Sequence, residues 1–330
     1  MSRTIKQFLP ILLAIGLLGY AIKDISLTEL VTQFSRADYR WIALFTVATL
    51  TSYIVRGKRW QQALLALGYY STTFRATIAM QSGSIASMIV PGSGELTRCA
   101  TIGRTDAVPM AHSVGSVVAE RVLDVLMLCI VILLAFVLEL SRMQEYLRSF
   151  RLMKPGLTAA VLLISSLVVG YIVYRIWRLP IVQKHPLSSR IKGFGQGVSE
   201  GFMAIRQLPS PLLFIGLTLA SQVLAWLTIV LLLRSLESTN TLPATAALTI
   251  LAVSSIGGLA VPTQGGIGTY HFFVSRALVL YGLALPEAVV AATFMHAVSL
   301  GVNLILSSIS FLVIPFLVNR KNNPQPVTES

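Results

Sequence analysis

Six apolar runs constrain this chain more than any other feature: residues 11–20, 41–55, 122–138, 157–173, 212–233 and 298–318. With their flanks, most approach the ~20 residues a helix needs to cross a bilayer's hydrocarbon core. No water reaches that core, so each backbone amide must bond within its own segment, which makes the runs helices. The 55% hydrophobic and 12% charged fractions fit this reading. Soluble chains run at roughly 45–50% and about 25%. The expected fold class is an all-α polytopic membrane helix bundle.

The formal net charge is +13, from 26 basic and 13 acidic residues. The basic residues gather at the ends of apolar runs, as orientation and headgroup anchoring require, so no nucleic-acid partner is expected. Arg56, Lys58 and Arg59 follow the second run, Arg175 to Lys192 follow the fourth, and Arg320-Lys321 follow the last. Placing these clusters in the cytoplasm puts both termini there, in a bacterial inner membrane. One loop, with Arg142, Arg148, Arg151 and Lys154, runs against this orientation and is softened by Glu139 and Glu145. Arg3 and Lys6 precede the first run without a small-residue cleavage site after it, so it reads as an uncleaved span.

Two further segments, 74–90 and 244–261, are apolar but rich in Ser, Gly and Ala. Each leads into a Pro-Gly turn: SIASMIVPGSGE (84–95) and SIGGLAVPTQGG (255–266). A breaker at membrane depth suggests a re-entrant helix hairpin, covered by protein or a wet cavity; a full crossing is the alternative. The two signatures align at an offset of 171 residues, Pro91 to Pro262. The second and fifth runs, and the third and sixth, fall about as far apart. Each half (1–155 and 156–321) then reads span, span, hairpin, span. Three crossings per half place the second half upside down, as in inverted-repeat transporters. Between the halves, 185–206 carries Ile191, Phe194, Val198, Phe202 and Ile205 at helical spacing, which suggests an amphipathic surface helix. The tail, 322–330, is expected to be disordered.

Ionisable side chains inside a membrane are costly and mark candidate sites. Glu95 and Arg98 lie one turn apart after the first Pro-Gly turn. Glu120, Arg121 and Asp124 fall on the third span, with Arg121 and Asp124 on one face. Arg98 and Arg121 offer forked donors matched to a lipid phosphate, and Glu95, Glu120 and Asp124 balance them when no ligand is present. An ion-pair network fixing the hairpin to the third span is the compatible structural reading. In the second turn, Gly265, Gly266 and Gly268 allow backbone amides to approach an anion, or helices to pack closely. His271 and His296 are candidates for proton coupling or for structural hydrogen bonding. No Walker A, HExxH, CxxC or GxSxG sequence occurs, and neither metal nor cofactor is expected.

The segments VPGSGELTRCATIGR (90–104), ERVLDVLML (120–128) and VPTQGGIGTYHFF (261–273) together resemble the flippase-like membrane domain of the lysylphosphatidylglycerol synthase family. The resemblance covers almost the whole chain. It implies a bundle with re-entrant elements that moves lipids or lipid-linked precursors between leaflets. It matches Glu95, Arg98, Arg121, Asp124, Gly265, Gly266 and Gly268 to the family's motif positions. Many members carry a glutamate where this chain has His271. The lysyltransferase members also have a soluble aminoacyl-transfer domain, and with the chain ending at Ser330 no lipid lysylation is expected of it. The expected function is transport of an anionic phospholipid or polyprenyl-phosphate lipid, without enzymatic turnover. The alternatives are an enzyme using Glu120 and Asp124 on a headgroup, and a partner that presents lipid to a separate transferase.

Overall fold

A computed structural model describes residues 27–90, 92–142, 208, 210–261 and 263–319. The expected first and fourth spans, the amphipathic helix at 185–206, the tail, Pro91 and Pro262 lie outside the described residues. Within them the fold is all helical, with no strand. In chain order the helices are α1 (Leu27–Arg36), α2 (Tyr39–Ala66), α3 (Thr73–Ile89), α4 (Ser93–Asp106) and α5 (Met110–Leu138). Then come α6 (Pro211–Arg234), α7 (Ala244–Ala260), α8 (Thr269–Val279) and α9 (Leu285–Asn319). A 3₁₀ turn, Gln264–Gly266, precedes α8.

Three of these helices, α5, α6 and α9, are long and apolar enough to cross a membrane. Their outer faces expose large apolar side chains, among them Leu133, Leu212, Leu312 and Phe316. A soluble protein does not tolerate such surface; hydrocarbon does. The chain is therefore an integral membrane protein.

Helix α2 has 28 residues, about 42 Å at 1.5 Å per residue. It begins at Asp38, whose carboxylate caps Arg40 N–H at 2.9 Å. It ends where Gly68 adopts φ +82° and its N–H, with that of Tyr69, closes on the carbonyls of Leu65 and Leu64. The second apolar run stops at Val55, but the helix does not. Arg56, Lys58 and Arg59 therefore sit inside it rather than at its end.

Both Pro-Gly segments fold as helix–turn–helix hairpins, α3–α4 and α7–α8. Helices α3 and α7 each span 17 residues, with identical bounds at the 171-residue offset. Close approach within the first hairpin depends on Gly83 and Gly94, where a Cβ on either would run into the other's carbonyl oxygen. In the second, Gly257 makes room for the Phe273 ring. The packing is reciprocal: α3 lies against α9, α7 lies against α5, and α2 packs along α6. Apolar cores fill these contacts. One joins Phe45, Leu232, Ile250, Leu278, Phe294 and Met295. A second joins Trp60, Leu64, Ala79, Cys99, Ile102 and Val117, and a small third joins Val131 and Ala135 to Ala252.

Candidate functional site

The reciprocal packing brings the two hairpin turns to one cavity of about 540 Å³. Helix α2 contributes Tyr53 and Arg56 to its wall, and the first hairpin contributes Ser84, Ser87, Glu95 and Arg98. Arg121 comes from α5, Gly265 and Gly266 from the second turn, and His296, Ser299 and Asn303 from α9. Its volume falls in the range of sites that hold small ligands.

Beside it lies a closed ring of six alternating charges. Arg59 on α2 reaches Glu120 (Nε to Oε1, 3.2 Å) and Asp124 (Nη2 to Oδ1, 2.8 Å) on α5. The other oxygen of Glu120 accepts from Arg98 Nη1 at 2.9 Å. Arg98 Nε stands 2.7 Å from Glu95 Oε2, with its N–H directed off the line of contact, so this link is ionic rather than a hydrogen bond. Glu95 Oε1 meets Arg121 Nη2 at 2.6 Å, and Arg121 Nη1 closes the circuit to Asp124 Oδ2 at 3.5 Å.

Three helices are joined this way. Arg59, Arg98 and Glu120 are buried, whereas the side chains of Glu95 and Arg121 are 37% and 46% exposed. The ring therefore has a dry arc and an open one. Three guanidiniums and three carboxylates sum to zero, which is how six charges can share a low-dielectric interior. The Trp60 ring lies under Arg98, 4.8 Å from its Cζ, and is held by an N–H bond to Ser116 Oγ at 3.0 Å.

Apart from Arg56, the rest of the lining is uncharged. Tyr53 O–H donates to Asn303 Oδ1 at 2.7 Å and lies 3.1 Å from Ser84 Oγ. His296 Nε2 donates to the Gly265 carbonyl at 3.0 Å, while its buried Nδ1 has no partner. His271 stacks on His296, with centroids 4.8 Å apart and planes 16° from parallel. His271 Nδ1 accepts the Gly268 N–H at 3.3 Å, outside the cavity wall.

The second-turn glycines serve backbone shape first. Gly265, Gly266 and Gly268 have φ of +58°, +76° and +82°, a region that side chains disfavour. Their amides are partly committed: Gly266 N–H bonds to the Thr263 carbonyl and Gly268 N–H to His271. Of the residues singled out from the sequence, Glu95, Arg98, Arg121, Gly265, Gly266 and His296 reach the cavity. Glu120 and Asp124 stand behind it as ring members, and Gly268 and His271 support the turn. Arg56 and Arg59 carry no site signal in the sequence, because the apolar run before them stops at Val55. The signal that would have placed them was the absence of any breaker between Arg56 and Gly68.

The family model for the lysylphosphatidylglycerol synthase transmembrane region matches residues 7–307. The chain belongs to this family. Neither a curated protein nor a solved structure matches it. Membership sets the ring and the cavity in a membrane protein of a lipid-related family, where unpaired buried charge is costly.

Proposed function

We propose that this protein is a flippase-like transporter that carries an anionic phospholipid or a polyprenyl-phosphate lipid between leaflets. It would work in a bacterial cytoplasmic membrane with both termini in the cytoplasm. One observation carries the reading: the turns of both hairpins meet at a single cavity lined by three arginines together with hydroxyl, amide and imidazole side chains. A lipid needs a protein path for its headgroup alone, since its chains can remain in the bilayer. The phosphate would engage the wall that holds Arg98 and Arg121.

The matched bounds of α3 and α7 and the reciprocal packing of α3 on α9 and α7 on α5 support an inverted repeat with two re-entrant hairpins. In that arrangement the halves expose the cavity alternately to the two leaflets. Binding is favoured over headgroup chemistry because both oxygens of Glu120 and of Asp124 already face arginines. Neither carboxylate is left free as a general base.

The test is reconstitution into vesicles containing a fluorescent anionic phospholipid, with outer-leaflet probe quenched chemically. Wild type should expose the inner-leaflet pool over minutes, and Arg98→Ala/Arg121→Ala should slow this at least tenfold. Equal rates in both, or headgroup turnover by the pure protein, would overturn the reading.

A further inference from the structure

The ring of six charges is electrically closed. Of the three cations on the cavity wall, Arg98 and Arg121 belong to it and each faces two carboxylates. The third, Arg56, makes no direct ion pair among the described residues: Asp124 acts on it only from beyond ion-pair distance, and the Tyr53 ring lies 5.9 Å from its Cζ. An anion that took over Arg121 would have to displace Glu95 or Asp124. An anion that approached Arg56 would break no direct ion pair. A second donor is also free: Arg98, which is 3% exposed, keeps Nη2 buried without an acceptor.

The charge sum makes the ligand more specific. The ring contributes zero and Arg56 contributes one, so the described site carries a net charge of +1. In a low-dielectric setting an uncompensated charge is costly, and the ligand that removes most of this cost brings the sum to zero. A single negative charge does so. A zwitterionic headgroup leaves the site at +1, and a doubly charged one drives it to −1.

We infer that Arg56 is the residue that reads the anion, with Arg98 Nη2 as the second donor, and that the preferred headgroup is a phosphodiester of net charge −1. This rests on the lipid-binding reading above. The six-charge ring is a neutral frame, and within it Arg98 commits Nε and Nη1 to Glu95 and Glu120 and leaves Nη2 to donate.

The experiment is native mass spectrometry of the full chain titrated with three dioctanoyl lipids at pH 8: phosphatidylmethanol, phosphatidylcholine and phosphatidate. Phosphatidylmethanol presents one phosphodiester charge and no other headgroup feature. Wild type should bind it about tenfold or more tighter than phosphatidylcholine, as for a hydrogen bond to a charged group. It should also bind it tighter than phosphatidate, which carries a second ionisation. Arg56→Gln should bring phosphatidylmethanol and phosphatidylcholine to near parity, and Arg56→Lys should keep most of the preference. Because Arg56 makes no direct ion pair among the described residues, Arg56→Gln should melt close to wild type; if it melts lower, Arg56→Lys decides between charge and packing. An Arg56→Gln variant that retained the preference would overturn the role of Arg56 and leave the lipid reading intact. A wild type that preferred phosphatidate would overturn the single-charge inference. A wild type indifferent to all three would overturn the lipid-binding reading itself.

Discussion

Glu120→Gln tests whether the ring is a true buried charge network. Glu120 is 2% exposed and gives one oxygen to Arg59 at 3.2 Å and the other to Arg98 at 2.9 Å. The amide keeps the shape of the side chain but can accept through one oxygen only, and its NH₂ then points at a guanidinium. Two charge-assisted bonds are weakened or lost, each worth about 1.5–3 kcal/mol. The dry arc of the ring is left with two guanidiniums and no carboxylate between them. Breaking a buried pair in this way costs about 3–5 kcal/mol. At about 2–4 °C per kcal/mol for a chain of this size, Tm should fall by roughly 10 °C. The chain carries its own reporter, since Cys99 is buried and reacts with a thiol-activated fluorophore only on unfolding. Exposed Cys129 is removed beforehand as Cys129→Ser. Adding Arg59→Met to Glu120→Gln removes one of the stranded cations and should recover part of the loss, a coupling readable from the double-mutant cycle. A Glu120→Gln protein that melts within about 2 °C of wild type would refute the network.

Four other changes follow from the geometry. Gly94→Ala should destabilise by about 1–3 kcal/mol, because its Cβ meets the Gly83 carbonyl, whereas Gly216→Ala, which meets nothing within 4 Å, should not; the same thiol melt compares them. Gly266→Ala at φ +76° should cost about 1 kcal/mol by backbone strain alone and lower lipid transfer with it, read in the same melt and the vesicle assay. Tyr53→Phe removes the O–H bond to Asn303 and should cost about 1 kcal/mol in the melt while Arg56→Gln costs little. Leu312→Asp places a charge on the exposed apolar face of α9 and should reduce membrane insertion, by about 2.5–3.5 kcal/mol if that face meets lipid at mid-depth, as measured by carbonate extraction of the expressed chain.

Helix content and the hairpins were legible because their signals are local. Apolar length marks α5, α6 and α9, and the Ser/Gly-rich run before each Pro marks α3 and α7 to within a residue. The 171-residue offset is also a one-dimensional signal, and the bounds of α3 and α7 reproduce it. Pairing within one helix was legible for the same reason: Glu95 with Arg98 and Arg121 with Asp124 are i, i+3 neighbours. What could not be read was which distant charges close the ring. Arg59 and Glu120 are 61 residues apart and meet only because α2 packs across α5. Nor does any spacing rule bring His296 of α9 to the Gly265 carbonyl. Arg56 was hidden differently, since a cation after an apolar run ordinarily marks the cytoplasmic edge of a span. Only the continuation of α2 to Ala66 moves it inward.

The placement of charge by half follows a physical logic of its own. Each member of the ring comes from α2, α4 or α5, all before residue 142, whereas the second-half residues that line the cavity bring hydroxyls, an amide, an imidazole, Leu300 and backbone but no charged side chain. If both halves supplied arginines and acids, every relative movement between them would break buried ion pairs at several kcal/mol each. On the transport reading proposed above, confining the ring to α2, α4 and α5 would let those helices keep their pairs while α7–α9 shift against them. The polar contacts that would then change are weak neutral ones, such as Tyr53 with Asn303 and Ser307 with Gln81 at 3.2 Å. Bonds of that kind are worth about 1 kcal/mol apiece, so exchanging them is compatible with turnover on a useful timescale. A disulfide that pinned α2 to α9 beside Tyr53 should therefore stop transfer while leaving headgroup binding intact. One that pinned α4 to α5 beside the ring should leave transfer unchanged.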